Sequence, residues 1–306
     1  MQFDERVAIV TGAGNGLGRA HALALAARGA RVVAIDVGGA EAVADEIIAG
    51  GGQAIAGTAS VSDAAAIGAI VERAMGAYGR VDILINNAGI LRDKSFGKME
   101  YEDFVAVMDV HVTGAFVCTK AVWDIMRQQT YGRIVNTTSS SGLYGNFGQA
   151  NYGAAKMALV GLTNTLAIEG VKYGVRVNAL APTAHTRMTE GLLPPAAAQV
   201  LKPEALVAGM LFLASEEAPT HTVLCGGAGG FERAYVTLTQ GVWLPENDRT
   251  PEAVAAAYAT ISDRAGELVP AAGAEQGALE ISKAQPAQRR YGETENAVSF
   301  PLVSEQ

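Results

Sequence analysis

The chain has 306 residues, nearly half of them apolar, a net charge of −8 and two cysteines, Cys118 and Cys225. That length and apolar share allow a large buried core, the acidic balance argues against nucleic acid, and two cysteines make neither a disulfide framework nor a cysteine-rich metal site. No apolar run stands out at the ~18 residues of a membrane span, and charge follows Met1 with no secretory pattern, so the expected compartment is cytoplasmic.

The first apolar run, VAIV at Val7, passes directly into TGAGNGLG at 11–18 and then into a helix expected over 16–28. Glycines between a strand and a helix let the backbone turn tightly and approach a pyrophosphate, which the helix N-terminus favours. Gly12, Gly16 and Gly18, with Asn15 and Leu17 among them, form a variant of the dinucleotide fingerprint. A glycine turn with no ligand is the plainer alternative. The second run, VVAI at Val32, ends in Asp36, eighteen residues past Gly18, where a carboxylate can accept hydrogen bonds from the adenosine ribose. Asp36 would repel a 2′-phosphate, and no Lys or Arg stands at Gly14, Asn15 or Val37 to offset that, so the pattern points to NAD. Asp36 as a simple turn residue is the other reading.

Helices are expected over 40–49 and 63–78, then a strand ILIN at Ile83 that runs into NNAG at 86–89. At the carboxyl edge of a parallel sheet, Asn87, Ala88 and Gly89 would border the ligand, while Asn86 could serve only to fix the sheet edge. A helix over 101–128, a strand RIVN at Arg133, a helix over 151–173, a strand VRVNAL at Val175 and a helix over 203–214 follow. Continuous apolar strands alternating with helices predict an α/β fold. Its form is a Rossmann-type doubly wound parallel sheet of about seven strands, with helices on both faces and a C-terminal helical extension. The expected division is 1–245, a dinucleotide-binding domain with its substrate loop, and 246–306. There Thr250 can cap and Pro251 can start one more helix to about Ala265. The polar tail from Ala271 onward, weak in periodicity, reads as an irregular or partly unstructured arm.

Tyr152 and Lys156 lie four apart in NYGAAK, and Ser139 precedes Tyr152 by thirteen residues. One helix face brings the Lys156 ammonium beside the phenol of Tyr152 and favours its ionised form, which makes a usable general acid/base. Alone, such a pair is more commonly an ordinary surface pair.

Together, TGAGNGLG, Asp36, NNAG, Ser139 and NYGAAK resemble the short-chain dehydrogenase/reductase family over about 6–230. The resemblance implies that Tyr152 moves the proton of the substrate oxygen. Ser139 would hold that oxygen, and Lys156 would lower the tyrosine pKa and bond the nicotinamide ribose. Members commonly have Asn where this chain has His111, so a relay role and a helix-packing role for His111 both stay open. The adenine contact would fall to Ser60 and Val61, and the carboxamide contact to Pro182 and Thr186. SGLYGNFGQANYGAAK and NALAPTAHTRMT resemble more closely the dehydrogenase units of type 2 peroxisomal multifunctional enzymes. This implies a lipid-derived secondary alcohol, a 3-hydroxyacyl-CoA or a 17β-hydroxysteroid; another small or cyclic alcohol is the alternative, and a non-catalytic dinucleotide sensor a more distant one. Leu91, Tyr144, Phe147, Leu192 and Leu193 are the expected substrate wall, with core packing an equal reading of the Leu and Phe residues; Arg92, Lys94, Lys98 and Arg187 could rim it, solvated surface charge being the plainer reading of each. The resemblance also implies a homodimer or homotetramer; no metal is expected.

Overall fold

The computed structural model describes residues 1–186 and 195–290. Its strands are β1 (Val7–Thr11), β2 (Arg31–Asp36), β3 (Gln53–Thr58), β4 (Ile83–Asn86), β5 (Gly132–Thr137), β6 (Val175–Thr183), β7 (Val223–Gly227) and β8 (Gly230–Ala234). Around them lie α1 (Gly16–Ala26), α2 (Ala40–Ala49), α3 (Ala64–Tyr78), α4 (Tyr101–Met108), α5 (Gly114–Gln129), α6 (Ser140–Tyr144), α7 (Ala150–Gly170), α8 (Pro195–Val200) and α9 (Val207–Ala214). The sheet order is β3-β2-β1-β4-β5-β6-β7-β8. Every pairing is parallel except β7 with β8.

The expected seven parallel strands are present, and β8 adds an antiparallel edge. β1, β4 and β5 are buried along their whole length, as unbroken apolar sequence requires of strands covered on both faces. One face packs Val10, Leu25, Val32, Met210 and Leu213; the other packs Ile9, Ile67, Leu84, Val122 and Met126. The strand order reverses between β1 and β4, so the loops after these two strands diverge and leave a crevice at the carboxyl edge.

Local signals account for several boundaries. Asp63 caps α3 by accepting from the amide of Ala66 at 3.0 Å, and Gly79 ends that helix at φ +73°. Between α4 and α5 the helix widens into a π-turn, Asp109–Thr113, which holds His111. The combined helix Tyr101–Gln129 is long and apolar enough, by length and composition alone, to cross a membrane. Here Val107, Ala115, Val122 and Met126 are its buried side, while Phe104, Val105 and Phe116 face outward.

The chain divides into two compact units, Met1–Ala234 and Tyr235–Gln306, eleven residues earlier than the sequence suggested. In the second unit Leu238 and Leu268 form an antiparallel bridge, and α10 (Pro251–Ile261) starts as expected, with Thr250 accepting from the amide of Ala253 at 3.1 Å. The polar tail departs from expectation: Gly273–Arg290 is helix α11. Its Ala, Glu, Gln and Lys content favours helix even where apolar periodicity is weak.

Candidate active site

The crevice is a cavity of ≈ 520 Å³. Gly12, Asn15, Gly16, Leu17, Gly18, Asp36, Ser60, Val61, Asn87, Ala88, Gly89, Tyr152, Lys156, Pro182 and Thr186 all line it, so the residues expected to hold a dinucleotide share one wall system. Gly12 and Gly16 have φ of +64° and +54°, where a side chain is strained. A Cβ on Gly18 would stand 2.1 Å from the carbonyl oxygen of Gly12, so the loop folds only with glycine there. Asn87 braces the turn, its Nδ2 donating to the carbonyl of Thr11 at 3.0 Å, while Oγ1 of Thr11 accepts from the amides of Asn87 and Ala88. The carboxylate of Asp36 accepts from the amides of Gly14 at 2.9 Å and Gly38 at 3.1 Å. These bonds fix its position at the end of β2. A bare backbone cradle, a helix N-terminus and a fixed carboxylate one strand away fit the pyrophosphate and adenosine ribose of a dinucleotide.

At the other end, Ser139 caps α6, its Oγ accepts from the amide of Ser141 at 3.2 Å, and its hydroxyl acts on the phenol of Tyr152. The neighbouring serines are excluded from this place: Ser140 is exposed, and Ser141 donates to Oε1 of Gln149 at 2.7 Å. Close packing of α6 on α7 sets the spacing, because a Cβ on Gly142 would lie 2.8 Å from the backbone of Lys156. Lys156 is buried, its Nζ donates to the carbonyl of Thr137 at 2.6 Å and stands 5.4 Å from the centre of the Tyr152 ring.

The protonation picture departs from expectation. Burial raises the phenol of Tyr152 above its ordinary value; the Ser139 hydroxyl lowers it, and the Asp93 carboxylate raises it further. Lys156 is itself pushed down to about 7 by burial, so desolvation outweighs any pull on the phenol. His111 is buried, held down to about 3 by burial and by the Lys156 ammonium, and therefore neutral. Its ring meets Tyr152 edge-on at 5.3 Å between centroids and fills the side-chain space that Gly89 leaves open.

Leu91 lines the cavity, but Tyr144 and Phe147 do not, and both are exposed. Leu192, Leu193 and Arg187 lie outside the described residues. Among the described rim cations Arg92 lines the cavity; Lys94, paired with Asp103 at 2.7 Å, and Lys98 do not. Sequence reasoning missed Gln149 and Asn151. Gln149 donates to Asp93 at 2.6 Å, and Asn151 donates to the carbonyl of Arg92 at 2.9 Å, so both tie the loop after NNAG to the start of the tyrosine helix. Their place beside Tyr152 in QANY was the available signal.

The chain matches the family model described as short chain dehydrogenase over residues 6–195. It is 46% identical to the peroxisomal hydratase-dehydrogenase-epimerase of Saccharomyces cerevisiae over 86% of this chain and 31% of that protein. The full-length peroxisomal multifunctional enzyme type 2 of Drosophila melanogaster superposes with a TM-score of 0.78 at 38% identity, covering 95% of this chain and 50% of that one. This chain therefore spans about a third and a half of these two relatives. A Beutenbergia cavernae structure, described as an NAD(P) dependent gluconate 5-dehydrogenase with bound NADP, superposes at 0.69 with 36% identity, over 74% and 97%.

Proposed function

The chain belongs to the short-chain dehydrogenase family, oxidoreductases of alcohol and carbonyl groups that bind a nicotinamide dinucleotide, and from that membership we propose that it oxidises a lipid-derived secondary alcohol with NAD. The observation that carries this reading is that Tyr152 and the buried Lys156 line one cavity with the glycine loop and Asp36. The bound dinucleotide supplies the hydride acceptor. Tyr152 takes the hydroxyl proton at its phenol oxygen as the carbonyl forms, and Oγ of Ser139 holds the substrate oxygen in line. Lys156 lies beneath the tyrosine ring and is assigned to the nicotinamide ribose. Asp36 favours NAD through its carboxylate, since a 2′-phosphate would meet like charge there.

The substrate assignment is a 3-hydroxyacyl-CoA before a 17β-hydroxysteroid. Its supports are likeness to enzymes named peroxisomal hydratase-dehydrogenase-epimerase and multifunctional enzyme type 2, and Arg92 on the cavity wall as a partner for phosphate. We place the protein in the cytoplasm and expect a homodimer or homotetramer. The test is initial rates of NAD reduction by purified protein with a (3R)-3-hydroxyacyl-CoA and a 17β-hydroxysteroid at matched concentrations. Preference for the thioester supports the assignment; preference for the steroid, or turnover of neither, overturns it.

A further inference from the structure

Asn86 closes β4 at the centre of the sheet and begins a buried polar string. Its Nδ2 donates to Oγ1 of Thr119 at 3.0 Å and to Oδ1 of Asn136 at 2.9 Å, and Nδ2 of Asn136 donates to Oγ1 of Thr163 at 2.9 Å. The string therefore joins β4, β5, α5 and α7. Oδ1 of Asn86 is buried and has no partner among the described residues, and the same is true of Nδ1 of His111. The other ring nitrogen, Nε2, stands 3.0 Å from the amide nitrogen of Ile90 and 2.9 Å from its carbonyl oxygen. If Nε2 accepts from the amide, Nδ1 carries a proton with nowhere to go; if Nε2 donates to the carbonyl, Nδ1 is an unused acceptor. Either tautomer leaves a buried polar atom whose isolation costs about 1–3 kcal/mol.

Asn86 and His111 line one small cavity of ≈ 10 Å³, walled otherwise by Thr11, Val61, Ala115, Leu159 and their neighbours. That is about the space one water needs. Oδ1 of Asn86 can only accept, while Nδ1 of His111 donates or accepts according to its tautomer. Water satisfies both cases, and an ion would find no opposite charge in this lining.

We propose that a single water, held between Nδ1 of His111 and Oδ1 of Asn86, joins the imidazole to the Asn86–Asn136–Thr163 string and fixes the ring that holds Ile90 and meets Tyr152 edge-on. Asn86 is then a positioning residue that acts through His111. The kinetic consequence rests on the dehydrogenase reading, while the water site does not.

A high-resolution crystal structure of the wild-type protein is the first arm, with a water peak expected about 2.6–3.2 Å from both atoms. The second arm uses the cavity wall: Ala115→Val fills the space, and Ala115→Ser offers a hydroxyl in place of the water. The expected result is a kcat at least about tenfold lower for Ala115→Val, with NAD affinity unchanged, and substantial recovery of kcat in Ala115→Ser. No peak at that position, or wild-type kcat in a folded Ala115→Val protein, overturns the proposal. A peak in a wild-type protein that oxidises no secondary alcohol supports the water site and overturns the dehydrogenase reading alone.

Discussion

At the scale of single residues, Tyr152 gains proton affinity from burial, so its ionised form is scarce at neutral pH. Alcohol oxidation needs that form as a base, and its rate should climb with pH between 7 and 9. A rate profile flat over that range would show that the phenol does not limit the proton step. Asp36 is held by two backbone amides, yet each oxygen keeps a lone pair for a ribose hydroxyl. Asp36→Ala should weaken NAD by about 10- to 100-fold, as expected for losing a hydrogen bond to a charged group, and narrow the preference over NADP. Titration of both dinucleotides checks this, and an unchanged ratio would place discrimination elsewhere. That Tyr152 and Lys156 share one cavity wall was legible from their helical spacing. The protonation balance was not, since desolvation depends on how deeply α6 and α7 bury Lys156.

At the scale of elements, α1 carries a cost that its sequence conceals. His21 is fully buried, with both ring nitrogens unpartnered among the described residues, and burial holds it down to about 3. The unfolded chain binds this proton near 6.5 and the folded chain only near 3. Stability from this site is therefore complete above pH 6.5, falls by about 1.4 kcal/mol per pH unit as pH drops through that window, and levels off below 3. Replacing it by leucine, His21→Leu, should remove this site's share of the acid slope of urea midpoints between pH 6.5 and 4.5 and leave that of His111; an unaltered slope would contradict the assignment. The glycine turn behaves oppositely: its tight backbone was readable from the sequence. Gly18→Ala should cut dinucleotide affinity sharply, because the new methyl meets the Gly12 carbonyl, and calorimetry with NAD would measure it. Elements missed from sequence share a cause. β3 and β8 are sheet edges, and only one residue of β3 and none of β8 is buried, so no apolar run marks them. The helix α11 is polar, and intrinsic propensity is its only signal.

At the scale of the whole molecule, Phe104, Val105 and Phe116 on the long composite helix and Met157 and Ile168 on α7 are exposed. Apolar helix faces of this kind fit pairing with a second copy. Phe116→Asp should shift the assembly to a smaller species in sedimentation, and a wild-type protein that is monomeric at micromolar concentration would contradict the expected oligomer. In the second unit no residue within 235–284 is buried, so its two helices have little core of their own. Sequence showed that a separate segment follows the sheet, but not where it starts, because the β7–β8 hairpin has no unbroken apolar run. The account as a whole stands on proton transfer by Tyr152. Its most direct test measures NADH formation and NAD binding by the full chain and by Tyr152→Phe, using a (3R)-3-hydroxyacyl-CoA. The account predicts turnover by the wild type, a loss of about 10²- to 10⁴-fold in the variant and unchanged NAD affinity; a variant that turns over near the wild-type rate would contradict it.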